Sequence, residues 1–291
     1  MPTWRSKTLY GPRKSLILNI LLCLSGLLVC AGAAAMPLSS RHVIVISNEN
    51  GAVLLQKNAD QAVPIASLTK LMTAMTVLDS LPNMREPIVI KAQDVDSLKH
   101  SSSRVPVGTT LARQQVLQLA LMSSDNRAAA ALARTYPGGV DAFEQAVNAK
   151  LQSLGMHHTV IQEPTGLSPN NTSTAADLAK MVLAASRYPQ IANITTDTSA
   201  RIYLKRRDVL FHNTNPLVGV KGWNILMSKT GFTNEAGHCL VMRIRQAGKD
   251  ATLVLLNARA KDASRMDALT VRRWLAELAP PEKAATQLSM R

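Results

Sequence analysis

Ser67 and Lys70 stand three residues apart in the stretch "IASLTKLMTAM", at the start of an apolar segment with helical periodicity. Residues i and i+3 of a helix lie on the same side, so this spacing can bring a hydroxyl and an amine together. A neutral lysine can take the proton of a serine and make it a nucleophile. Lowering a lysine pKa from about 10.4 to about 7 needs roughly 4–5 kcal/mol, which burial and nearby cations can supply. The alternative is a helix-starting serine beside a solvated lysine.

A second polar group, Ser124-Asp125-Asn126, interrupts an otherwise helical run and predicts a loop that presents its side chains. A second hydroxyl can relay a proton towards a leaving amine. An asparagine side chain both donates and accepts hydrogen bonds, so it can hold an amide and an amine together. Ordinary turn chemistry is the alternative, because Ser and Asn are common in turns.

A third group, Lys229-Thr230-Gly231, lies within an alternating apolar segment that predicts a strand. Glycine inside a strand often marks the close approach of another backbone or a ligand. A lysine and a threonine beside it can bind a carboxylate, and a charge-assisted hydrogen bond contributes about 1.5–3 kcal/mol. An edge-strand lysine followed by a turn is the alternative.

The elements that must position these residues are strands at both ends of the chain with helices between them. Residues 41–56 predict a hairpin that turns at Asn50-Gly51, and four alternating segments between 201 and 260 predict further strands. Helical periodicity marks residues 67–75, 111–122, 128–135, 141–154, 175–186 and 262–278. We therefore predict an α+β fold: an antiparallel sheet with flanking helices and an inserted helical lobe.

The first 35 residues predict a secretory signal peptide. Four basic residues precede an apolar run from Ser15 to Val29, and Ala33 and Ala35 form a small-x-small cleavage signal. A permanent membrane anchor is the alternative. The predicted organisation is a signal peptide over 1–35, one domain over 36–280 and a flexible tail over 281–291.

The charge and cysteine content narrow the classes of partner. Cleavage after Ala35 leaves 29 basic and 19 acidic residues, a net charge of +10. Such a charge can favour nucleic acid, but export argues against it and favours the acidic cell-wall polymer or anionic lipid. Only Cys239 remains after cleavage, so the mature chain cannot close an internal disulfide.

The three groups occur in the order S-x-x-K, S-D-N and K-T-G, and in that order they resemble the signature of penicillin-binding proteins and class A β-lactamases. The longer stretches "LMSSDNRAAAALARTYPGG", "EPTGLSPNN" and "KTGFTNEAGHCLVMR" are similar to the D-alanyl-D-alanine endopeptidase branch, the penicillin-binding protein 7 type. The resemblance implies a β-lactamase/transpeptidase-like fold and a serine DD-peptidase that cuts D-alanyl–diaminopimelate cross-links in peptidoglycan through an acyl-enzyme.

The resemblance also implies roles in the reaction. Ser67 would be the acylated nucleophile, Lys70 its base, and Ser124 the shuttle that carries the proton to the leaving group. The backbone N–H groups of Ser67 and Phe232 would form the oxyanion hole, in which each donor is typically worth about 2.7–4 kcal/mol of barrier.

The remaining motif residues would bind substrate. Asn126 would position the substrate amide, and Lys229 and Thr230 would hold the carboxylate next to the scissile bond, on the strand that carries Gly231. No metal and no cofactor are expected, because His157-His158 lacks a helical pattern of metal ligands.

Three neighbouring activities remain as alternatives. A class A β-lactamase would need a Glu-x-x-Leu-Asn motif, but Gly166 and Leu167 follow Glu163 at those positions, so efficient β-lactam hydrolysis is not expected. A D-alanyl-D-alanine carboxypeptidase is the runner-up. Its larger relatives add a β-rich domain and an amphipathic tail, whereas only 60 residues follow Gly231 here. A non-catalytic β-lactam-binding sensor is the third alternative.

The expected partners are peptidoglycan stem peptides and β-lactam antibiotics, with no nucleic acid. The expected location is the periplasm of a Gram-negative bacterium, with loose association with the inner membrane or the wall left open. The roles of His238 and Cys239, beside the K-T-G strand, are open, with core packing favoured for the cysteine.

Overall fold

A five-stranded antiparallel sheet joins the two ends of the described chain. The computed structural model describes residues 36–278. The strand order is β2-β1-β11-β10-β9, so the N-terminal hairpin pairs with the C-terminal strands through β1 and β11. The strands of this sheet are β1 (His42–Ser47), β2 (Val53–Lys57), β9 (Ile225–Thr233), β10 (Gly237–Gln246) and β11 (Lys249–Ala258).

All helices but the last, and three small two-stranded sheets, lie between the two halves of the large sheet in sequence, and the last helix follows β11. The small sheets pair β3 (Val63–Pro64) with β6 (Thr172–Ser173), β4 (Pro87–Val89) with β5 (Thr110–Ala112), and β7 (Ser199–Leu204) with β8 (Arg207–His212). The helices are α1 (Thr69–Asp79), α2 (Arg113–Met122), α3 (Asn126–Arg134), α4 (Gly139–Ser153), α5 (Ala175–Ala185), α6 (Pro189–Thr196) and α7 (Ala263–Glu277).

The central strands are apolar on both faces, which explains why helices cover the sheet. Val43, Ile44 and Val45 of β1 are all buried, although successive side chains of a strand point to opposite faces. Helix α5 packs against β1 and β11, and α7 packs against β10 and β11. Helix α1 is buried along nearly its whole length and contacts α2 to α6. The segment that carries Ser67 and Lys70 therefore leads into a helix that is buried along nearly its whole length.

The predicted fold class is confirmed, and the predicted N-terminal hairpin is present as β1 and β2. Strand β8, helix α6 and the short strands β3, β5 and β6 were not predicted. Strand β8 was missed because the hairpin turns through Lys205 and Arg206, which are not typical turn residues, although both have positive φ (43° and 67°). Helix α6 was missed although Pro189 stands in its first turn, which is a recognised start signal.

The helix that carries the first motif begins two residues later than predicted. Ser67 lies in a short 3₁₀ turn, Ala66–Leu68, and α1 follows at Thr69. Ala66 has a φ of 47°, a left-handed conformation that costs a non-glycine residue about 1–2 kcal/mol. The strained turn presents Ser67 at the mouth of the helix, one turn from Lys70.

The predicted signal peptide and the whole of the predicted tail lie outside the described residues, so the domain boundaries stay predictions. Within residues 36–278, no helix is long and apolar enough to cross a membrane.

Candidate active site

Lys70 is the centre of the site, because its buried amine meets three oxygens. The Lys70 Nζ donates to Ser67 Oγ at 2.8 Å, to Asn126 Oδ1 at 2.6 Å and to the backbone oxygen of Thr165 at 2.6 Å. The lysine is 1% exposed. Three segments that are far apart in sequence therefore converge on one nitrogen.

These three contacts also orient the amine once it loses a proton. A neutral amine keeps two N–H donors and gains one lone pair. The Asn126 and Thr165 oxygens are carbonyl oxygens that only accept, so they take the two N–H groups. The Ser67 hydroxyl is the one partner that can donate, so the lone pair faces Ser67 Oγ. This is the geometry that a general base for Ser67 requires.

Burial makes that neutral form accessible near neutral pH. Desolvation lowers the pKa of Lys70 from 10.5 to about 7, and the negative charges of Glu163, Asp125 and Asp96 oppose the shift. The lowered pKa that Lys70 needs to act as a base therefore comes from burial and not from a cation in the first helical turn.

Ser124 and Lys229 form a second hydroxyl–amine pair. The Lys229 Nζ donates to Ser124 Oγ at 2.8 Å and to the backbone oxygen of Thr230 at 2.9 Å. Burial and the neighbouring Lys70 ammonium lower the pKa of Lys229 well below its usual value. Ser124 has a φ of 58°, a strained conformation of the kind found at functional sites.

The position of Lys229 refines its predicted role. Its side chain is 1% exposed, and it contacts Ser124 without lining the open cleft. Thr230 does line the cleft, and its Oγ1 donates to Thr214 Oγ1 at 2.5 Å. A substrate carboxylate would therefore meet the Thr230 hydroxyl first.

The Asp and Asn of the second motif have different tasks. Asp125 caps α3 by accepting from the Ala128 N–H at 2.9 Å, and its other oxygen accepts from Ser103 Oγ at 2.7 Å. Asn126 holds Lys70 with its carbonyl and donates one amide hydrogen to Ser101 Oγ at 2.8 Å. The NH₂ group carries two donors, and the second forms no hydrogen bond with the residues that the structure describes.

Gly231 lets strand β9 pass directly against the nucleophile. A Cβ atom at this position would lie 3.1 Å from the Ser67 nitrogen, 3.1 Å from the Ile65 oxygen and 3.1 Å from the Ala66 Cβ. Phe232 follows immediately on the same strand. The arrangement supports the predicted oxyanion pair of the Ser67 and Phe232 N–H groups.

The motif residues open into one cleft of about 430 Å³. Ser67, Ser124, Asn126, Thr230 and Gly231 line its floor and one wall. The sequence analysis missed the other wall, which comes from the segment after β8 and from the start of α7. Its lining residues include Thr214, Asn215, Pro216, Lys261, Ser264 and Arg265. No short motif marks them, because they meet the site only through tertiary packing.

The loop around Glu163 supplies the third oxygen that binds Lys70. The Glu163 carboxylate accepts from the backbone N–H groups of Thr165 (2.7 Å), Gly166 (2.6 Å) and Leu167 (2.8 Å). It also accepts from Thr165 Oγ1 at 2.6 Å and from Asn171 Nδ2 at 3.2 Å. Its lone pairs are engaged in holding the loop, which supports the expectation that Glu163 does not activate water as a β-lactamase base would.

Gly166 allows this loop to approach the nucleophile turn. Its φ is 85°, and a Cβ there would lie 1.9 Å from the backbone oxygen of Ala66. Any other residue would clash with backbone, so the contact between this loop and the Ser67 turn depends on glycine.

Two residues beside the K-T-G strand pack without direct involvement in the lysine network. Phe232 and His238 stack with ring centroids 4.4 Å apart, and both line the cleft. Cys239 is buried, and burial raises the pKa of its thiol to about 12. His157 and His158 are exposed, and the part of the chain that the structure describes holds no group of three potential metal-binding side chains.

Comparisons with known proteins agree with this geometry. The family model of peptidase S11, described as D-alanyl-D-alanine carboxypeptidase, matches residues 30–260. The chain is 46% identical over 240 residues to a D-alanyl-D-alanine endopeptidase of Pseudomonas aeruginosa, covering 82% of this chain and 77% of the relative. It is 42% identical over 248 residues to a D-alanyl-D-alanine endopeptidase of Escherichia coli K12, covering 84% and 80%.

A solved structure shares the fold. The Streptomyces K15 DD-transpeptidase superposes with a TM-score of 0.76 at 26% sequence identity, covering 81% of this chain and 97% of that one. The predicted family and the predicted enzyme class, a serine DD-peptidase, are thereby confirmed. From the family match over most of its length and from these relatives, the chain belongs to the peptidase S11 family.

Proposed function

We propose that this protein is a serine D-alanyl-D-alanine endopeptidase that cleaves D-alanyl–diaminopimelate cross-links in peptidoglycan. The observation that carries the proposal is the contact of 2.8 Å between the Lys70 amine and the Ser67 hydroxyl, together with the burial of Lys70, which lowers the pKa of the amine to about 7. The more similar relatives carry the endopeptidase name, which favours this activity over the carboxypeptidase.

Acylation follows from the positions of the two hydroxyl–amine pairs. Lys70 takes the proton of Ser67, and Ser67 Oγ attacks the carbonyl carbon of D-alanine. The N–H groups of Ser67 and Phe232 receive the negative oxygen of the tetrahedral intermediate. Ser124 gives its proton to the leaving amine and takes one from Lys229. The proton that Lys70 took from Ser67 then replaces the one that Lys229 has given. Water then attacks the acyl-enzyme, releases the D-alanine carboxylate and restores the Ser67 hydroxyl.

The leaving group is recognised through its carboxylate. The diaminopimelate amine that leaves carries a carboxylate on the neighbouring carbon. Thr230 lines the cleft beside Gly231, and Lys261 supplies positive charge to the same lining, where Arg265 pairs with Asp262 at 3.5 Å. Asn126 presents its second amide hydrogen to the substrate carbonyl. Recognition of an anion therefore comes from a hydroxyl at short range and from a cation at longer range.

Penicillin is expected to acylate Ser67 and to stay bound. A β-lactam carbonyl can occupy the same position as the D-alanine carbonyl. Unlike the diaminopimelate amine, the amine of an opened β-lactam stays attached to the acyl group and remains in the cleft, where it hinders water. Glu163, which is occupied by backbone N–H groups, offers no carboxylate base of the β-lactamase kind to overcome this. A long-lived covalent adduct is therefore expected.

Export to the periplasm completes the proposal. The first 35 residues would be removed as a signal peptide, residues 36–280 would form the catalytic domain and 281–291 would form a tail. The net charge of +10 on the mature chain suits an anionic polymer in that compartment.

The test uses the mature chain and purified cross-linked muropeptide dimers. Release of monomers, with loss of this activity in Ser67→Ala, is the expected result. Removal of only the terminal D-alanine would identify a carboxypeptidase instead. A chain that binds labelled penicillin through Ser67 but converts neither substrate would be a sensor, and the proposed activity would be wrong.

A further inference from the structure

A groove lined by two arginines lies beside the cleft, outside the catalytic network. Arg104 and Arg207 line it together with Asp208, Val209 and Leu210, and its volume is about 530 Å³. The floor is strand β8, which pairs only with β7 in its sheet. We define this feature as the arginine groove.

The groove continues into a cationic hairpin. Arg201, Lys205, Arg206 and Arg207 are all exposed on β7 and β8 or in the turn between them. Between residues 199 and 212 the only acidic residue is Asp208. None of these four cations, nor Arg104, lies within 4.0 Å of a carboxylate among the described residues. This surface therefore carries positive charge that the protein does not neutralise.

The hairpin tip also holds its cations in a strained turn. Lys205 and Arg206 both have positive φ, and neither is a residue that favours this conformation. Asn and Gly would form the same turn with less strain. Strain of this kind persists where the surrounding structure or a function maintains it.

Contacts tie the groove to the active site. The Arg104 guanidinium lies 4.3 Å from the centre of the Phe211 ring and donates to the Leu210 oxygen at 2.7 Å. Arg104 follows Ser101 and Ser103, whose hydroxyls bind Asn126 and Asp125. The groove and the S-D-N loop are thus supported by the same short segment.

The distance along β8 is also short. Thr214, which binds the Thr230 hydroxyl in the cleft, is four residues from Leu210 in the groove. Four residues span at most about 14 Å, so Leu210 and Thr214 lie within the length of a few residues of an extended peptide.

We propose that the arginine groove and its hairpin bind the carboxylate-bearing stem peptides of cross-linked peptidoglycan next to the bond being cut. Guanidinium groups match carboxylates in a two-point geometry, and the exposed edge of β8 offers backbone groups to an extended peptide. A depression of about 530 Å³ fits a polymer strand better than it fits a flat lipid surface. The inference rests on the proposed function, since it names a second contact for the same substrate.

The test measures binding to insoluble sacculi, with Ser67→Ala as the background so that the polymer is not digested. The variant K205E/R206E/R207E should need about tenfold more sacculi for half-maximal binding at low salt, as expected for three exposed charge contacts. The control R85E/R187E/K249E changes the net charge equally, at exposed cations away from the groove whose side chains form no ion pair among the described residues. It should change binding less than about threefold. Amidation blocks the carboxylates of the sacculi. The protein with the unaltered hairpin should bind amidated sacculi as weakly as the hairpin variant binds untreated sacculi.

Further measurements separate this proposal from the proposed activity. With Ser67 intact, the hairpin variant should keep its covalent penicillin labelling and its melting temperature, because neither uses the groove. Its KM for soluble muropeptide dimers should rise, while kcat stays within about threefold of the parent value. R207Q serves as a milder variant if the triple variant does not fold. The proposal would be wrong if both triple variants weakened binding to sacculi equally. It would also be wrong if the hairpin variant lost binding to phosphatidylglycerol vesicles but kept its binding to sacculi. If sacculus binding depends on the hairpin but no dimer is cleaved, the proposed activity fails while the binding surface stands.

Discussion

Two regions of the protein bury cations and treat the charge in opposite ways. In the helical lobe, the guanidinium of Arg134 forms two hydrogen bonds of 2.7 and 2.8 Å with the Asp94 carboxylate. In the active site, Lys70 and Lys229 are each 1% exposed, and neither forms an ion pair among the described residues. A paired cation keeps its charge, whereas an unpaired amine is driven towards its neutral form.

The difference separates stability from reactivity. The Arg134–Asp94 pair connects α3 to the segment after β4, so it holds two elements in place. The lysine pair meets hydroxyls and carbonyls, which hold the amines without fixing their charge. The protein therefore keeps two basic nitrogens at low proton affinity within a site that carboxylates influence only from a distance.

The largest effect is expected when the positive charge at position 70 cannot be removed. Lys70→Arg keeps a positive charge that cannot be removed at neutral pH, so Ser67 loses its base. Penicillin acylation should fall by about 10²–10⁴-fold, the usual contribution of a general base. The measurement is the rate of covalent labelling by mass spectrometry. Lys221→Arg, on the exposed surface, is the matched control, and near-normal labelling of Lys70→Arg would exclude Lys70 as the base.

The converse experiment removes the partner of the paired cation. Asp94→Asn leaves the mostly buried Arg134 guanidinium without its carboxylate and should lower the free energy of unfolding by about 3–5 kcal/mol. Urea unfolding measures this loss, and Asp60→Asn at an exposed position should change stability by less than about 0.5 kcal/mol. The labelling rate per folded molecule should be unchanged. If Asp94→Asn slowed penicillin labelling without lowering the free energy of unfolding, the Arg134–Asp94 pair would act on reactivity and not on stability, and the comparison would be wrong.

A smaller effect is expected from a change at Glu163, whose carboxylate holds the loop that contacts Lys70. Glu163→Gln places an amide donor against the N–H groups that the carboxylate accepts, so the loop that presents the Thr165 oxygen loosens. Acylation should slow by about 10–100-fold, since small misplacements of a catalytic group are costly. Glu144→Gln, exposed on α4, is the control.

The same variant has a second readout that a purely structural role would not move. Glu163 raises the pKa of Lys70 through its charge. Its removal should therefore shift the acid limb of the acylation rate to lower pH. A slower enzyme with an unchanged pH profile would indicate that Glu163 acts on the loop alone.

The smallest expected effect is the pH dependence of the unaltered enzyme. Below pH 7, Lys70 is protonated and cannot accept the Ser67 proton, so acylation should fall about tenfold per pH unit. Above pH 7 the rate should level off. Stability should rise with pH between about 7 and 10.5, because over this range the unfolded chain holds a proton on Lys70 that the folded chain has released. Penicillin labelling between pH 5 and 9 checks the first claim, and a rate independent of pH across this range would contradict it.

The sequence by itself determined the local parts of this protein. The i, i+3 spacing of Ser67 and Lys70 places both on one side of a helical turn, whatever the rest of the chain does. Alternating apolar residues with Gly248 between the last two strands determined a hairpin, and Gly231 within a strand signalled close approach. The order of the three motifs was sufficient to identify the family, because these are short-range patterns.

Only the tertiary structure decided which groups meet and which charge state is favoured. The Thr165 oxygen reaches Lys70 from 95 residues away, and Ser124 reaches Lys229 from 105 residues away. No pattern in the sequence marks Gly166, yet the packing of its loop against Ala66 leaves no room for a side chain. A lysine pKa near 7 is a property of enclosure, and enclosure depends on elements that only packing brings together.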